Sequence, residues 1–337
     1  MSDRLQGPVL LTGASGFVGA AVMRALLASG YPVRALVRRP GAFQAPIGVE
    51  ARLGDVTDFE SLVSAARGCD SVVHCAADYR LSLLPAETCS MIAVNVGGTA
   101  NLLEAARRSG VQRLVHCSTV GTLAFRRSGR VCTELDVAPS PAALAGPYKR
   151  SKWAAQRLAL DQPVSQLEVV VVQPSTPVGS GDLRPTPTGA TIRDFLGGRI
   201  PAVVDTGLNL VDVEAVGRGH LLALERGRPG RCYILGDRNL TLRQLLTKVA
   251  GIAEVRPPRW RVPLGLAYAA ALASEARSRL RGRPAAISLT SVRMAAHPMY
   301  VDASRAREEL GWEPGDLDRA LGQSVRELAA ALGRRAA

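Results

Sequence analysis

The stretch that decides the fold reads TGASGFVG over residues 12–19. A short apolar run precedes it and an apolar helical pattern follows it, which predicts a strand, a turn and a helix in that order. Gly13 suits a tight turn, Gly16 lets backbone N–H groups approach a pyrophosphate, and Gly19 lets the helix pack closely on the strand. An anion is then favoured at the helix N-terminus, so the stretch predicts a dinucleotide site.

Strands and helices alternate through the first half of the chain. Apolar strand-like runs cover residues 8–12, 33–37, 71–77, 113–118 and 167–173, and helical patterns cover 17–29, 61–67, 91–109 and 148–160. This alternation predicts an α/β fold with a doubly wound parallel sheet and right-handed crossovers. We expect residues 1–173 to form the sheet domain and residues 174–337 a smaller lobe, with the chain crossing back to the sheet near 203–220. A cleft between sheet and lobe is the expected site.

Composition narrows the class of protein. The chain has 337 residues, 47% of them hydrophobic and 21% charged, which is typical of a globular protein. The apolar run at 262–274 is too short for a membrane span, and residues 1–8 lack a secretory pattern, so we expect a cytoplasmic protein. The net charge of +13 is interpreted as arginine spread over solvated faces, without a nucleic-acid partner. The six cysteines include no CxxC pair and are interpreted as buried apolar residues, so no metal is predicted.

An arginine stands where the second predicted strand ends. Arg38 follows Gly19 by the distance at which NAD-selective proteins usually place an acidic residue on the ribose 2′-hydroxyl. A guanidinium there suits a 2′-phosphate, so the sequence favours NADP(H) and leaves NAD(H) open. Because arginine is common in this chain, a surface arginine without a special role is the alternative. Asp55 and Val56 follow the next strand-like run and are expected to meet the adenine.

Tyr148 and Lys152 are four residues apart on a predicted helix and share one of its faces. The chain has only two further lysines, Lys149 and Lys248, so chance rarely gives such a pair. A nearby ammonium stabilises tyrosinate and lowers the tyrosine pKa, which predicts Tyr148 as a general acid/base at a carbonyl or carbinol oxygen. Lys152 is also expected to bind the nicotinamide ribose. A surface tyrosine with a lysine neighbour is the alternative.

A hydroxyl group lies at the carboxyl end of the strand predicted at 113–118. Thr119 is the first choice, and Ser118 the second, for the group that hydrogen-bonds the substrate oxygen and orients it toward Tyr148. Either side chain could instead cap the next turn.

Several motifs accompany these residues, namely Asp55-Val56, HCAA at 74–77, Asn95 with Gly98-Thr99, Ser118-Thr119 and Pro174. With them the sequence resembles the extended short-chain dehydrogenase/reductase family over nearly its whole length. Five stretches look like a bacterial branch called hopanoid-associated sugar epimerases, itself similar to dihydroflavonol 4-reductases. They are AADYRL at 76–81, PSTP at 174–177, PTPTG at 185–189, DTGLNLV at 205–211 and YILG at 233–236.

The resemblance implies a Rossmann domain, a small C-terminal substrate lobe and the catalytic set Thr119, Tyr148 and Lys152. The expected cofactor contacts, from the residues and the resemblance together, are Gly13, Ser15, Gly16, Phe17, Val18, Gly19, Arg38, Asp55, Val56, Ala76, Ala77, Asn95, Lys152, Pro174, Ser175 and Thr176. Two positions depart from the branch. Gln173 replaces the asparagine before the proline, and Ala215 replaces an aspartate, so the substrate is not identified.

The sequence favours an oxidoreductase that passes hydride between a nicotinamide and a ketone or secondary alcohol carbon of a small molecule. An epimerase that retains NAD between two hydride transfers is the first alternative, and an NADP-sensing regulator without catalysis is the second. The basic segment at 256–283 flanks an apolar stretch, as in interfacial helices, although packing inside the lobe is favoured over weak membrane contact. Helices at 91–109 and 148–160 resemble those through which many family members form homodimers, and burial on the sheet is the alternative.

Overall fold

The computed structural model describes residues 7–39, 41, 43–80, 85–126, 128–182, 185–200, 202–281 and 289–333. The segment 1–6, Leu81 of the AADYRL motif and Arg283 of the basic segment lie outside the described residues.

Seven strands form the central sheet. They are β1 (Val9–Thr12), β2 (Val33–Val37), β3 (Val49–Leu53), β4 (Ser71–His74), β5 (Arg113–Cys117), β6 (Glu168–Pro174) and β10 (Cys232–Leu235). Their spatial order is β10-β6-β5-β4-β1-β2-β3, and every neighbouring pair is parallel. The chain adds β2 and β3 on one side of β1 and then β4, β5 and β6 on the other side. An open α/β sheet forms its ligand crevice at such a change of strand order. The predicted doubly wound parallel sheet is confirmed.

Twelve helices accompany the strands in the described part of the chain. They are α1 (Phe17–Ala28), α2 (Phe59–Ala66), α3 (Pro85–Ile92), α4 (Gly98–Arg108), α5 (Gly146–Leu160), α6 (Pro187–Leu196), α7 (Val213–Arg226), α8 (Leu242–Ile252), α9 (Leu264–Arg281), α10 (Leu289–Ala295), α11 (Ser304–Leu310) and α12 (Leu317–Ala331). A π-helical turn (Ala93–Gly97) joins α3 to α4, and a 3₁₀ turn (Val120–Thr122) follows β5. Helices α1 and α7 pack on one face of the sheet, and α2, α4 and α5 on the other.

The residues beyond β6 build the lobe and also return to the sheet. Short strands β7 (Thr176–Val178), β9 (Gly207–Asp212) and β11 (Arg238–Thr241) form a second sheet, and β8 (Ala202–Val203) pairs with β12 (Trp260–Arg261). Helices α6, α8 and α12 cover the second sheet with a separate apolar core. The boundary near residue 173 stays a prediction. After the lobe strands the chain returns to the central sheet at 213–235, where α7 packs on the sheet and β10 pairs with β6.

Helix α9 is largely exposed, although the sequence favours its packing inside the lobe. Leu266 is 63% and Leu272 is 58% exposed, and Trp260 of β12 is 71% exposed. The helix packs on α10, and Ala271 is buried. The favoured interpretation therefore holds for only part of the helix. Among the described helices, none combines the length and the apolar character that a membrane-spanning segment requires.

Candidate active site

The glycine turn joins β1 to α1 and has room only for glycine at two positions. Gly13 has φ +77°, and a Cβ there would lie 2.7 Å from the Ala76 nitrogen. A Cβ on Gly19 would overlap the Gly13 carbonyl oxygen. Gly16 precedes α1 without a side-chain cap, and the first turn of α1 contains no acidic residue. The Gly16 N–H donates to the Gly13 carbonyl oxygen at 2.9 Å, and the start of α1, with no side-chain cap among the described residues, fits the pyrophosphate of a dinucleotide.

The residues that follow Ala14 are partly or fully accessible to solvent. Ser15 and Gly16 are exposed, and Phe17 and Val18 in the first turn of α1 are half-buried. This arrangement fits the predicted contacts with a phosphate, made by backbone rather than by charged side chains.

The adenosine end of the predicted site lies beyond β2 and β3. Arg38 is exposed directly after β2, and its charge contributes to lowering the pKa of Asp78, where Arg80 has the larger effect. Asp55 follows β3 and accepts hydrogen bonds from Thr57 N (2.8 Å) and Thr57 Oγ1 (2.7 Å), and Val56 is buried. Asp55 thus shapes a turn, and Arg38 places an exposed cation directly after β2.

A buried histidine is hydrogen-bonded to the residue that directly precedes the glycine turn. His74 Nδ1 lies 2.7 Å from Thr12 Oγ1, and its Nε2 lies 3.0 Å from Thr99 Oγ1. The same Thr12 hydroxyl accepts a hydrogen bond from Ala76 N at 3.2 Å. Burial lowers the pKa of His74 to about 3, so the imidazole is neutral. Ala76 and Ala77, both half-buried, are in this way held beside the glycine turn.

Asn95 links two segments that border the site. The residue lies in the π-helical turn and is 1% exposed. Its Oδ1 accepts from Asp78 N at 2.7 Å, and its Nδ2 donates to Asp78 O (2.8 Å) and Ser151 Oγ (2.9 Å). The amide group is therefore engaged with the loop after β4 and with α5. This geometry gives Asn95 a positioning role between that loop and α5, and its direct contact with the cofactor stays a prediction.

Thr119 and Ser118 point to opposite sides of the chain, as consecutive residues at a strand end do. The Thr119 side chain lies close enough to the Tyr148 phenol to oppose the rise of its pKa. The Thr119 Oγ1 accepts a hydrogen bond from Gly121 N at 3.1 Å, which caps the 3₁₀ turn. Ser118 is buried and donates to Gln156 Oε1 at 2.6 Å. The structure thus places Thr119, the first choice, next to Tyr148, whereas the Ser118 side chain is buried in the protein interior.

Tyr148 and Lys152 lie in the first two turns of α5, half-buried and buried respectively. Burial raises the pKa of the Tyr148 phenol, the charge of Cys117 adds to this, and the Thr119 hydrogen bond opposes it. The sequence predicts the opposite direction for this pKa. The difference arises because Lys152 Nζ donates to the Cys117 carbonyl oxygen at 2.7 Å, and the desolvation of the phenol dominates. Burial also lowers the pKa of Lys152.

The carboxyl end of β6 contributes a buried hydroxyl group. Pro174 ends β6, Ser175 N donates to Leu235 O at 2.9 Å, and Thr176 begins β7. The Ser175 hydroxyl is buried and makes no hydrogen bond with any residue that the structure describes. A carboxamide such as that of nicotinamide would satisfy it.

The two departures from the branch are structural residues. Gln173 is fully buried and donates to Thr122 Oγ1 (3.0 Å) and Gln156 Oε1 (3.1 Å). Ala215 is buried in α7, where its carbonyl oxygen accepts from Trp312 Nε1 at 2.8 Å. Neither side chain is available to a substrate.

Two features beside the site were missed by the sequence reasoning. Lys149 follows Tyr148 and lies 3.4 Å from the sulfur of Met299, and burial lowers its pKa to about 8. Cys75, Cys117 and His220 come together although they are far apart in sequence. For Lys149 the only sequence signal is its rarity as a lysine, and for the second group no spacing pattern exists.

Comparison with known proteins gives a consistent result. Residues 9–236 match the NAD dependent epimerase/dehydratase family. A putative dihydroflavonol 4-reductase of Synechocystis is 38% identical over 322 residues, 94% of this chain and 92% of that protein. Sterol demethylase protein B of Methylococcus capsulatus is 33% identical over 320 residues, 94% of this chain and 96% of that protein. Further relatives are named as a ketoreductase, a 3β-hydroxysteroid dehydrogenase and a 2-alkyl-3-oxoalkanoate reductase.

The crystal structure of gox2253 has the same fold. It superposes with a TM-score of 0.84 at 38% identity, covering 97% of this chain and 99% of that chain. The structural similarity therefore includes the lobe as well as the central sheet.

Proposed function

Because the chain belongs to the NAD dependent epimerase/dehydratase family, and is thus an enzyme of the extended short-chain dehydrogenase/reductase type, we propose that it reduces a ketone with NADPH. The reverse reaction oxidises the corresponding secondary alcohol. The observation that carries this proposal is the placement of the Tyr148 phenol next to Thr119, with Lys152 one turn further along α5 and its Nζ held by the Cys117 carbonyl oxygen at the carboxyl end of β5.

The three side chains divide the work at the substrate carbonyl. A nicotinamide bound in the crevice supplies a hydride to the carbonyl carbon. Thr119 orients the carbonyl oxygen, and Tyr148 donates its phenolic proton to that oxygen, which completes the secondary alcohol. Lys152, fixed by the Cys117 carbonyl oxygen, places a positive charge where the tyrosinate forms and can hydrogen-bond a ribose.

The names of several relatives, which are reductases and dehydrogenases, support net reduction over epimerisation. Tyr148, whose pKa is raised by burial, is protonated at neutral pH, as the proton donor in a ketone reduction has to be.

NADP(H) is the proposed cofactor. Arg38 is an exposed guanidinium at the end of β2, and Asp55 is occupied by the Thr57 turn, so the adenosine end offers a cation for a 2′-phosphate. We propose that the contacts of the glycine turn, from Gly13 to Gly19, act mainly through the backbone, whereas Lys152 and Ser175 use their side chains.

A large apolar ketone is the proposed substrate class. Relatives of this chain are named for a sterol, a steroid and a farnesyl quinoline.

The exposed leucines of α9 and Trp260 lie in a segment rich in arginine, which supports weak contact with an anionic lipid surface.

A homodimer through the groove between α4 and α5, lined by Leu103 and Leu158, is a further proposal.

The central experiment measures NADPH consumption against ketones of increasing apolar size. Tyr148→Phe should lower kcat by about 10²- to 10⁴-fold while leaving NADPH binding intact, because the phenol acts only on the reacting oxygen. Tyr31→Phe is the matched control, since Tyr31 bonds only Glu225 at the surface, and it should keep full activity. Wild-type turnover in Tyr148→Phe would refute the proposed role.

The cofactor state on purification separates the two enzyme hypotheses. Protein that is isolated empty and binds NADPH reversibly supports the reductase. Protein isolated with tightly held NAD, and without activity on ketones, would favour the epimerase instead.

A further inference from the structure

A small cluster of two thiols and one imidazole lies at the carboxyl ends of the interior strands β4 and β5, beside the proposed catalytic residues. Cys75 follows β4, Cys117 ends β5, and His220 lies in α7. The ligand atoms of these three side chains lie within 4.8 Å of one another. The proposed reaction uses none of these side chains.

The histidine of this cluster is oriented as a metal ligand. His220 is fully buried, and its Nδ1 lies 2.8 Å from the Val216 carbonyl oxygen. That contact makes Nδ1 the donor and leaves the lone pair of Nε2 bare, on the opposite side of the ring. Within the described part of the chain, Nε2 has no hydrogen-bond partner. A histidine that donates one nitrogen to a backbone carbonyl and offers the other to an ion is the usual arrangement in metal sites.

The two thiols are adjacent because of strand register. β4 and β5 are parallel with His74 opposite His116, so the next residue of each strand, Cys75 and Cys117, is also opposite. Both cysteines are half-buried, and His220 is fully buried.

We infer that Cys75 Sγ, Cys117 Sγ and His220 Nε2 form a binding site for one thiophilic cation of the Zn²⁺ type, with a fourth position open to the cleft. Tetrahedral Zn²⁺ has Zn–S distances of about 2.3 Å, which place two sulfurs about 3.8 Å apart. With a Zn–N distance of about 2.0 Å, sulfur and nitrogen lie about 3.5 Å apart, so the cluster needs to contract by about 1.3 Å at most. Binding releases the thiol protons to solvent, so affinity should rise with pH.

The charges around the cluster limit its affinity but do not cancel it. Two thiolates neutralise a divalent ion, and the imidazole adds no charge. Lys152 is a positive charge near both sulfurs, and it is held by the Cys117 carbonyl oxygen. We therefore expect weaker binding than in a four-cysteine structural site. The site needs neither cofactor nor substrate, so it stands or falls separately from the proposed reaction.

The test uses the full-length protein, kept reduced so that the adjacent thiols do not form a disulfide. Zn²⁺ titration against a chromophoric chelator should show one equivalent bound, and Co²⁺ should produce a thiolate-to-cobalt charge-transfer absorption. Cys75→Ser, Cys117→Ser and His220→Gln should each weaken binding by at least about 100-fold. Cys89→Ser is the matched control, because Cys89 is exposed on α3 away from the cluster, and it should bind as the wild type does.

Two results would overturn the inference. One is a wild-type protein that shows no cobalt–thiolate absorption and no Zn²⁺ binding beyond that of the Cys75→Ser/Cys117→Ser double variant. The other is loss of binding in Cys89→Ser, which would place the ion elsewhere. The cobalt spectrum of the wild type does not depend on how well any variant folds.

Discussion

Lowering the pH from about 7.5 to about 5 is expected to destabilise the protein through His74. In the folded state burial holds the pKa of His74 at about 3, against a usual value of 6.5. Between these two values the unfolded chain binds a proton that the folded protein does not. The stabilisation is therefore complete above the usual value and is lost as the pH falls toward the folded value.

The size of the effect follows from the two pKa values. Each pH unit below 6.5 costs about 1.4 kcal/mol, so His74 alone should reduce the free energy of unfolding by about 2 kcal/mol at about pH 5. Burial lowers the pKa of His116 as well, which adds a loss of the same sign. Because the Thr12 hydroxyl bonds both His74 and Ala76, the glycine turn should loosen with this protonation.

Urea unfolding at a series of pH values measures the effect. His74→Asn removes the titrating group, so its free energy of unfolding should depend less on pH, by about one proton, whatever its stability at neutral pH. Thr99→Val is the matched control. It removes a hydrogen bond to His74 but keeps the imidazole buried, so it should be less stable with the wild-type pH dependence. Equal pH dependence in His74→Asn and the wild type would refute the reasoning.

Three further predictions concern the candidate site. Gly19→Ala places a methyl group on the Gly13 carbonyl oxygen and should abolish measurable NADPH binding in a fluorescence titration; wild-type affinity would contradict the close packing inferred there. Arg38→Ala should weaken NADPH binding by about tenfold with NADH binding unchanged, and an unaltered ratio of the two affinities would remove Arg38 from the cofactor site. Asn95→Ala leaves its buried partners unsatisfied and should lower the free energy of unfolding by about 1–3 kcal/mol, together with kcat. An unchanged melting temperature would count against the positioning role of Asn95.

The parts of this protein that could be predicted from sequence are those governed by one local element. The glycine turn is contiguous, and the helix period alone puts Tyr148 and Lys152 on one face. The choice between Ser118 and Thr119 is harder, because a strand turns successive side chains to opposite sides and the sequence does not reveal which side is the cleft. The pKa of Tyr148 depends on burial by residues from several elements, and its direction was therefore predicted wrongly from one neighbour.

The contact between the cysteines and the histidine of the cluster could not be predicted from local sequence patterns. Given a parallel sheet in which β4 and β5 are neighbours, the two cysteines follow matched positions, so their contact depends only on register. His220 is different, because α7 reaches the sheet after the chain has passed through β7, α6, β8 and β9 of the lobe. No periodicity links that helix to β4 or β5. A motif search for CxxC spacing therefore has to miss this site, since the ligands are brought together by topology and not by proximity along the chain.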